Sequence, residues 1–455
     1  LAGRLDIDPD EILYKEKGCR KQAERALDES KMLELGKNNK KINKAIKETL
    51  GSRPGNWVLI GGPPCQAYSV AGRVRNKGVK GYKAESDHRS YLYKEYLKVI
   101  SKFRPAVFVM ENVKGMISAK LDGESVFTKI LNDLRCPRRT LQSNDLTTEY
   151  EIFSLAKKQK YDHSDEPIII PNDYIIRTEN YGVPQSRHRI ILLGIRKDLL
   201  SKTKIGTLNL SSTPTIKTVI GDLPKLRCAV TLVADDQESW YQSIQKNIPK
   251  LLSQLSQSGM TDVTKCMRNT IRKMSQEKLH RGSNWQIRKR TEYSEKIPPK
   301  LRKWYQDPSN WSGICNHESR RHMASDLQRY LFCVCYSKTR NGLKIKTTNF
   351  PKMLYADHVN WNSGDFEDRF HVQSTNKPAT TITSHLAKDG HYYIHFDPVQ
   401  CRSLTVREAA RIQTFPDNYF FVGTRTEQYV QVGNAVPPYL ANQIAKLVYK
   451  ILLSC

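Results

Sequence analysis

Trp57-Val58-Leu59-Ile60-Gly61-Gly62-Pro63-Pro64-Cys65-Gln66 is the stretch on which the fold turns. Its apolar start reads as a short buried strand, which two glycines and two prolines then stop. Proline fixes φ and withholds a donor, while glycine lets the backbone turn sharply or lie against a ligand. A thiol carried beyond the carboxyl end of a strand is placed to attack something bound in the crevice there. The competing reading is a small buried hydrophobe beside a turn, the usual fate of a single cysteine. Taken alone, the loop leaves the two readings level.

Outward from this loop, Tyr91 to Phe103 shows apolar residues at helical spacing with Pro105 just beyond. Ala106-Val107-Phe108-Val109-Met110 is a second strand-like run, ending in Glu111-Asn112-Val113. Strand, helix and strand form a βαβ unit of a parallel sheet, so Cys65 and Glu111 are predicted to leave it at one edge. Against this, a carboxylate at a strand end is commonly a helix cap or a solvated turn residue. A third unit runs from Tyr174-Ile175-Ile176 through Tyr181-Gly182-Val183-Pro184 into Gln185-Ser186-Arg187-His188-Arg189, and on to Ile190-Ile191-Leu192-Leu193-Gly194. Arg187 and Arg189, two apart, would point the same way in a strand; the plain alternative is an edge decorated with charge.

The chain has 455 residues, enough for two or three domains, and a formal net charge of +28, which favours a polyanionic partner. It holds no run of eighteen apolar residues and no signal segment, and its ten cysteines follow no framework spacing. A soluble, cytoplasmic protein without disulfides or membrane contact is therefore expected. Lys21 to Leu35 and Lys41 to Leu50 read as helices, as does the span from Val230 to Ser275. Between Arg196 and Gln400 the chain is polar and aromatic-flecked, with little periodicity. Cys315, His317, His322, Cys333 and Cys335 match no common zinc spacing, and Leu331 to Cys335 reads as a buried strand, so no metal is expected. Further on, Thr405 with Glu408 forms a capping box ahead of Ala409, Ala410 and Ile412. Gly433-Asn434-Ala435-Val436-Pro437-Pro438 reads as a turn into a closing helix, Tyr439 to Leu453.

These segments resemble the DNA (cytosine-5) methyltransferase family of bacterial restriction-modification systems. The matches are Pro-Pro-Cys-Gln at 63–66, Glu-Asn-Val at 111–113, Gln-x-Arg-x-Arg at 185–189, the run from Arg402 to Gln413, and Gly-Asn-Ala-Val at 433–436, all in the family's order. The resemblance implies a doubly wound, Rossmann-like α/β sheet interrupted by an irregular target-recognition domain. The domains expected are a catalytic part over 1–200, recognition over 201–395, and a return to the catalytic domain over 396–455. It also implies a monomer that methylates carbon 5 of a flipped cytosine in a specific double-stranded DNA sequence, with S-adenosylmethionine as donor and a restriction endonuclease as cognate partner. Cys65 would be the nucleophile, Glu111 the carboxyl at ring nitrogen 3, and Arg187 or Arg189 the cation at the ring oxygen or thiolate. Pro63, Asn434 and Val436 would border the cofactor.

Candidate base readers are Arg281, Asn284, Gln286 and Arg288 around Trp285, and Arg320 with Arg321, each of which also reads as ordinary solvated surface. The family's glycine-rich first turn has no clear counterpart ahead of Cys65, so an incomplete amino-terminal half and weak cofactor binding by this chain are expected. Two other readings are an inactive DNA-binding fragment, or subunit of a split enzyme, and an RNA cytosine-5 methyltransferase. The roughly two-hundred-residue recognition region disfavours the RNA enzyme, since reading duplex sequence takes an extended surface.

Overall fold

The computed structural model describes residues 19–52, 55–63, 92–121, 123–141, 149–202, 204–287, 293–306, 313–357, 361 and 367–454. They divide into two compact units. The first comprises Lys21–Tyr181, His188–Leu210 and Ala441–Cys455; the second includes Gly182–Arg187 and Ser211–Leu440.

The first unit opens with helices α1 (Arg20–Glu29) and α2 (Asn39–Leu50), neither of which buries a residue. Strand β1 (Val58–Gly61), helix α3 (Tyr93–Phe103) and strand β2 (Val107–Val113) follow. The two strands pair in parallel from Val58↔Val107 to Gly61↔Met110, the βαβ unit read from the sequence. Helix α3 stops where Arg104 adopts φ 48 and donates its N–H to Ile100 O; Pro105 cannot continue the helix. Helix α4 (Val126–Arg135), capped by Ser125, leads to β3 (Tyr150–Ser154), β4 (Ile175–Arg177) and β5 (His188–Arg196).

The strand order is β1-β2-β5-β3, with β4 also paired to β5. Strand β5 runs antiparallel to β2, β3 and β4, so the α/β sheet is mixed and not purely parallel. The connection over 178–187 explains this, being too short for the crossover of a dozen or more residues that a parallel return requires. Phe108, Phe127, Ile130, Tyr150, Tyr174 and Leu192 fill the core between sheet and helices. Phe108 occupies the space left by Gly194, its register partner, where an added Cβ would stand 2.2 Å from the ring.

The second unit has cores of its own, which the polar, aperiodic look of this part of the sequence conceals. Helices α5 (Gln237–Gln245), α6 (Ile248–Gln257) and α7 (Thr261–Met274) occupy the span predicted to be helical. They pack with helix α8 (Ala324–Thr339) around Trp240, Leu251, Met267, Leu331 and Phe332. Leu331 to Cys335 thus lies in a helix, contrary to the strand expected. The cause is burial of every residue from Tyr330 to Ser337, which erases the amphipathic pattern and leaves a short apolar run that fits either element.

Strands β6 (Gly282–Ile287) and β7 (Gly313–Glu318) pair antiparallel, with the Trp285 ring lying over Gly313. The chain ends with α9 (Val406–Ile412), α10 (Arg425–Asn434) and α11 (Pro438–Ser454). Gly433 and Asn434 therefore close helix α10, where a free turn was expected. Among the described residues no helix is long and apolar enough to cross a membrane.

Candidate active site

In the first unit the geometry centres on Glu111. Antiparallel register sets Glu111 opposite Ile191 and Val113 opposite Arg189, so Arg189 is the diagonal same-face neighbour of the carboxylate. Arg189 Nε meets Glu111 Oε1 at 2.9 Å, both side chains remaining partly open to solvent. The second oxygen, Oε2, faces Gly62, where an added Cβ would stand 3.2 Å away. One residue earlier, a Cβ on Gly61 would sit 2.6 Å from the Tyr96 ring, whose hydroxyl lies 3.4 Å from both Leu59 O and Val109 O. The two glycines thus seat the strand end on a tyrosine and on the carboxylate in turn. Pro63 follows at the edge of the described residues; Pro64 and Cys65 lie outside them.

Arg187 and Arg189 do not share a strand. A short strand, Gln185–Ser186, precedes Arg187 and pairs in parallel with Ala379–Thr380, and β5 starts only at His188. Arg187 belongs to the second unit, is buried, and donates through Nη1 to Ile382 O at 2.8 Å and Gly433 O at 3.4 Å. Gln185 accepts from Ile382 N at 2.7 Å and donates to Gln413 Oε1 at 2.8 Å. Gln413 in turn donates to Val432 O at 2.7 Å and Ala435 O at 3.3 Å.

Three segments far apart in sequence, at 185–187, 402–413 and 433–436, are therefore tied into one buried knot. Gly433 is needed there, since a Cβ would stand 2.3 Å from Ser384 N. Asn434 and Val436 emerge from the knot with exposed side chains. Sequence reading passed over Gln185 and Gln413 as site members. The available signal was an uncharged amide at the end of each motif, in segments otherwise rich in arginine.

Around helix α9 the buried charges serve packing. The capping box is present, Thr405 Oγ1 accepting from Glu408 N and Glu408 Oε2 from Thr405 N. Arg402 donates to both Glu408 oxygens at 2.7 Å, with all of these groups buried. Burial alone would raise the Glu408 carboxyl, but the Arg402 charge, joined by His395, holds it far below the usual range. Arg411 is clamped between Asp417 at 2.5 Å and Asp222 at 2.7 Å. Burial lowers His317 to about 4; its ring bonds Thr405 Oγ1 at 3.0 Å and Pro224 O at 2.9 Å.

Among the described residues no three His, Cys, Asp or Glu side chains gather as a metal site. Cys315 accepts from Arg407, and His322 contacts Ser403. Of the candidate base readers, Arg281 is committed to Asp235 and Glu318, and Arg320 to Leu386 O and Ala387 O. Asn284 and Arg321 are exposed; Gln286 lies on β6, and Arg288 is outside the described residues.

The chain belongs to the C-5 cytosine-specific DNA methylase family, whose model matches residues 22–136 and 172–450. It is 31% identical over 445 residues to a type II methyltransferase of Bacillus paralicheniformis, M.Bpa9945I, covering 97% of this chain and 79% of that protein. It is 25% identical to the type II methyltransferase M.AgeI of Thalassovita gelatinovora, over 90% of this chain and 87% of the relative. In fold it resembles a chain described as a DNA modification methyltransferase encoded within an E. coli prophage. That likeness has a TM-score of 0.50 and 19% identity over 90% of this chain and 83% of the other. The protein is thus a DNA cytosine-5 methyltransferase.

Proposed function

We propose that this enzyme modifies a specific double-stranded sequence within a restriction-modification system, with Cys65 as nucleophile and S-adenosylmethionine as donor. The observation that carries the catalytic assignment is the divided carboxylate of Glu111, with Oε1 held by Arg189 and Oε2 turned to Gly62. Three peptide units separate Cys65 from Gly62, a reach of about 10 Å at full extension. A base presented to Glu111 is therefore within range of the thiol. Because cytosine lies in the stack, it must first be flipped out, at a cost of a few kcal/mol.

The Cys65 thiolate adds to carbon 6, and the ring electrons shift to make carbon 5 an enamine nucleophile. Glu111, carrying a proton in this step, donates a hydrogen bond to nitrogen 3, where charge accumulates, and Arg189 keeps that carboxyl oriented. After carbon 5 is methylated, loss of its proton returns the electron pair to the ring and expels the Cys65 thiolate. The exposed carboxamide of Asn434 and the isopropyl group of Val436 suit a ligand that is polar at one end and apolar at the other. S-adenosylmethionine, when bound, supplies a methyl group activated by its sulfonium. Arg187 is a positioning residue that fixes the turn at 433–436. We assign the recognition region to 201–395.

Replacing Cys65 by Ser is expected to abolish both methylation and the covalent complex with 5-fluorocytosine DNA, leaving duplex affinity within about threefold. Covalent trapping at the parental level would overturn the assignment. Bisulfite sequencing of DNA from expressing cells reads out the target sequence.

A further inference from the structure

Helix α7 presents two opposed faces. Val263, Met267, Ile271 and Met274 are buried, whereas Lys265, Arg268, Asn269, Arg272 and Lys273 are exposed on the other side. At 100° per residue these five fall within one arc of the helix. The only acid in the helix, Asp262, is paired with Arg340 at 3.0 Å. Among the described residues no ion pair involves any of the four cations on this face.

Several exposed cations elsewhere meet an acid three or four residues away, although α2 and α11 also carry lysines without such a partner. Arg25 meets Glu29, Lys31 meets Asp28, Lys44 meets Glu48, and Lys98 meets Glu95. On α7, Arg268 and Arg272 are four apart and Lys265 and Arg268 three apart, like-charge spacings that each cost a helix a few tenths of a kcal/mol. Arg272 and Lys273 have a local rationale in the last turn, where cations complement the helix dipole. Lys265 and Arg268 have none. An uncompensated cationic face on a rigidly packed helix is complementary to a polyanion.

We propose that the exposed face of α7 is a second DNA-contact surface, gripping the phosphates of duplex that flanks the target site. This rests on the reading of the protein as a DNA methyltransferase, and assigns to the helical segment 237–274 a role apart from base reading. From Lys265 to Arg272 the helix covers about 10 Å of axis. Duplex DNA carries one negative charge per about 1.7 Å, so several phosphates fall within reach of the face. Such contacts set register and add affinity without carrying sequence information.

The test is the double variant Arg268→Ala/Arg272→Ala in the full chain, measured on a long duplex and on one trimmed to the target site. On the long duplex the slope of log K against log salt is expected to fall by about 2. The affinity gap to the parent should then narrow roughly tenfold between about 50 and 200 mM salt. The preference for cognate over non-cognate DNA and kcat at saturating DNA should not change, and the trimmed duplex should bind both proteins alike. An unchanged slope in a variant with parental thermal stability would overturn the proposal, as would a selective loss of cognate preference. Unaltered DNA binding with altered self-association would assign the face to a second copy and also overturn it. Parental methylation is measured alongside, so failure of the enzymatic reading is seen separately.

Discussion

Two adjacent glycines divide stability from catalysis at the end of β1. A Cβ on Gly61 would stand 2.6 Å from the buried Tyr96 ring, so Gly61→Ala is expected to cost about 1–3 kcal/mol through overpacking. At Gly62, which is exposed, the tightest contact of the same methyl group among the described residues is Glu111 Oε2 at 3.2 Å, relieved by moving the carboxylate a few tenths of an ångström, with Glu111 O in ordinary contact at 3.7 Å. Gly62→Ala should therefore leave the melting temperature within about 2 °C while lowering kcat roughly 10- to 100-fold, since small misplacements of reacting groups are costly. Thermal melts and single-turnover methylation on the pair of variants check this. Equal effects of both substitutions on melting temperature, or parental kcat in Gly62→Ala, would show that Oε2 is not a reacting atom. The sequence made Glu111 legible because a βαβ unit fixes which strand ends share an edge. It misjudged Arg187 and Arg189, because spacing of two implies a common face only within one unbroken strand, and the break falls between Ser186 and His188.

At the scale of elements, helix α9 was readable in detail. Thr405 and Glu408 form the capping box that their spacing announces. Its larger role was not readable, because only the tertiary structure shows that Arg402, Arg407 and Arg411 are all fully buried, Arg402 against the helix's own Glu408 and the other two against groups outside the helix. A charged, arginine-rich helix ordinarily reads as surface. Conversely, Leu331 to Cys335 reads as a strand and is a helix, since burial on every side removes the period that separates the two. Breaking one partner of a buried ion pair leaves an uncompensated charge, so Arg402→Ala is expected to destabilise the second unit by about 3–5 kcal/mol. Thr405→Ala, which removes the cap and the hydroxyl bonded to His317, should cost about 2 kcal/mol. Urea titration followed by tryptophan emission measures both, and comparable midpoints for the two variants would show that the Arg402–Glu408 pair is not what holds the element.

On the scale of the whole molecule, charge burial is distributed unequally between the two units. Burial pushes His317, His371 and His395 down to about 4, and all three lie in the second unit. A histidine whose folded pKa is depressed below its unfolded value of about 6.5 gives its stability in full above pH 6.5 and loses it as pH falls toward 4. For His317 and His371 this loss amounts to about 3 kcal/mol each by pH 4. Glu408 and Asp417, also held low, act in the same direction at more acid pH. Unfolding of the second unit is therefore expected first on acidification from pH 7 to 4. Five of the six tryptophans, Trp240, Trp285, Trp304, Trp311 and Trp361, fall within the Ser211–Leu440 stretch of that unit, and Trp57 falls in the other. Tryptophan emission should thus change at higher pH than the amide protection of β2 and β5, which pair in the core of the sheet. Hydrogen exchange at pH steps, corrected for intrinsic rates and run beside fluorescence, compares the two directly. Coincident transitions would mean that the units unfold as one cooperative body and that the buried histidines do not decide the order.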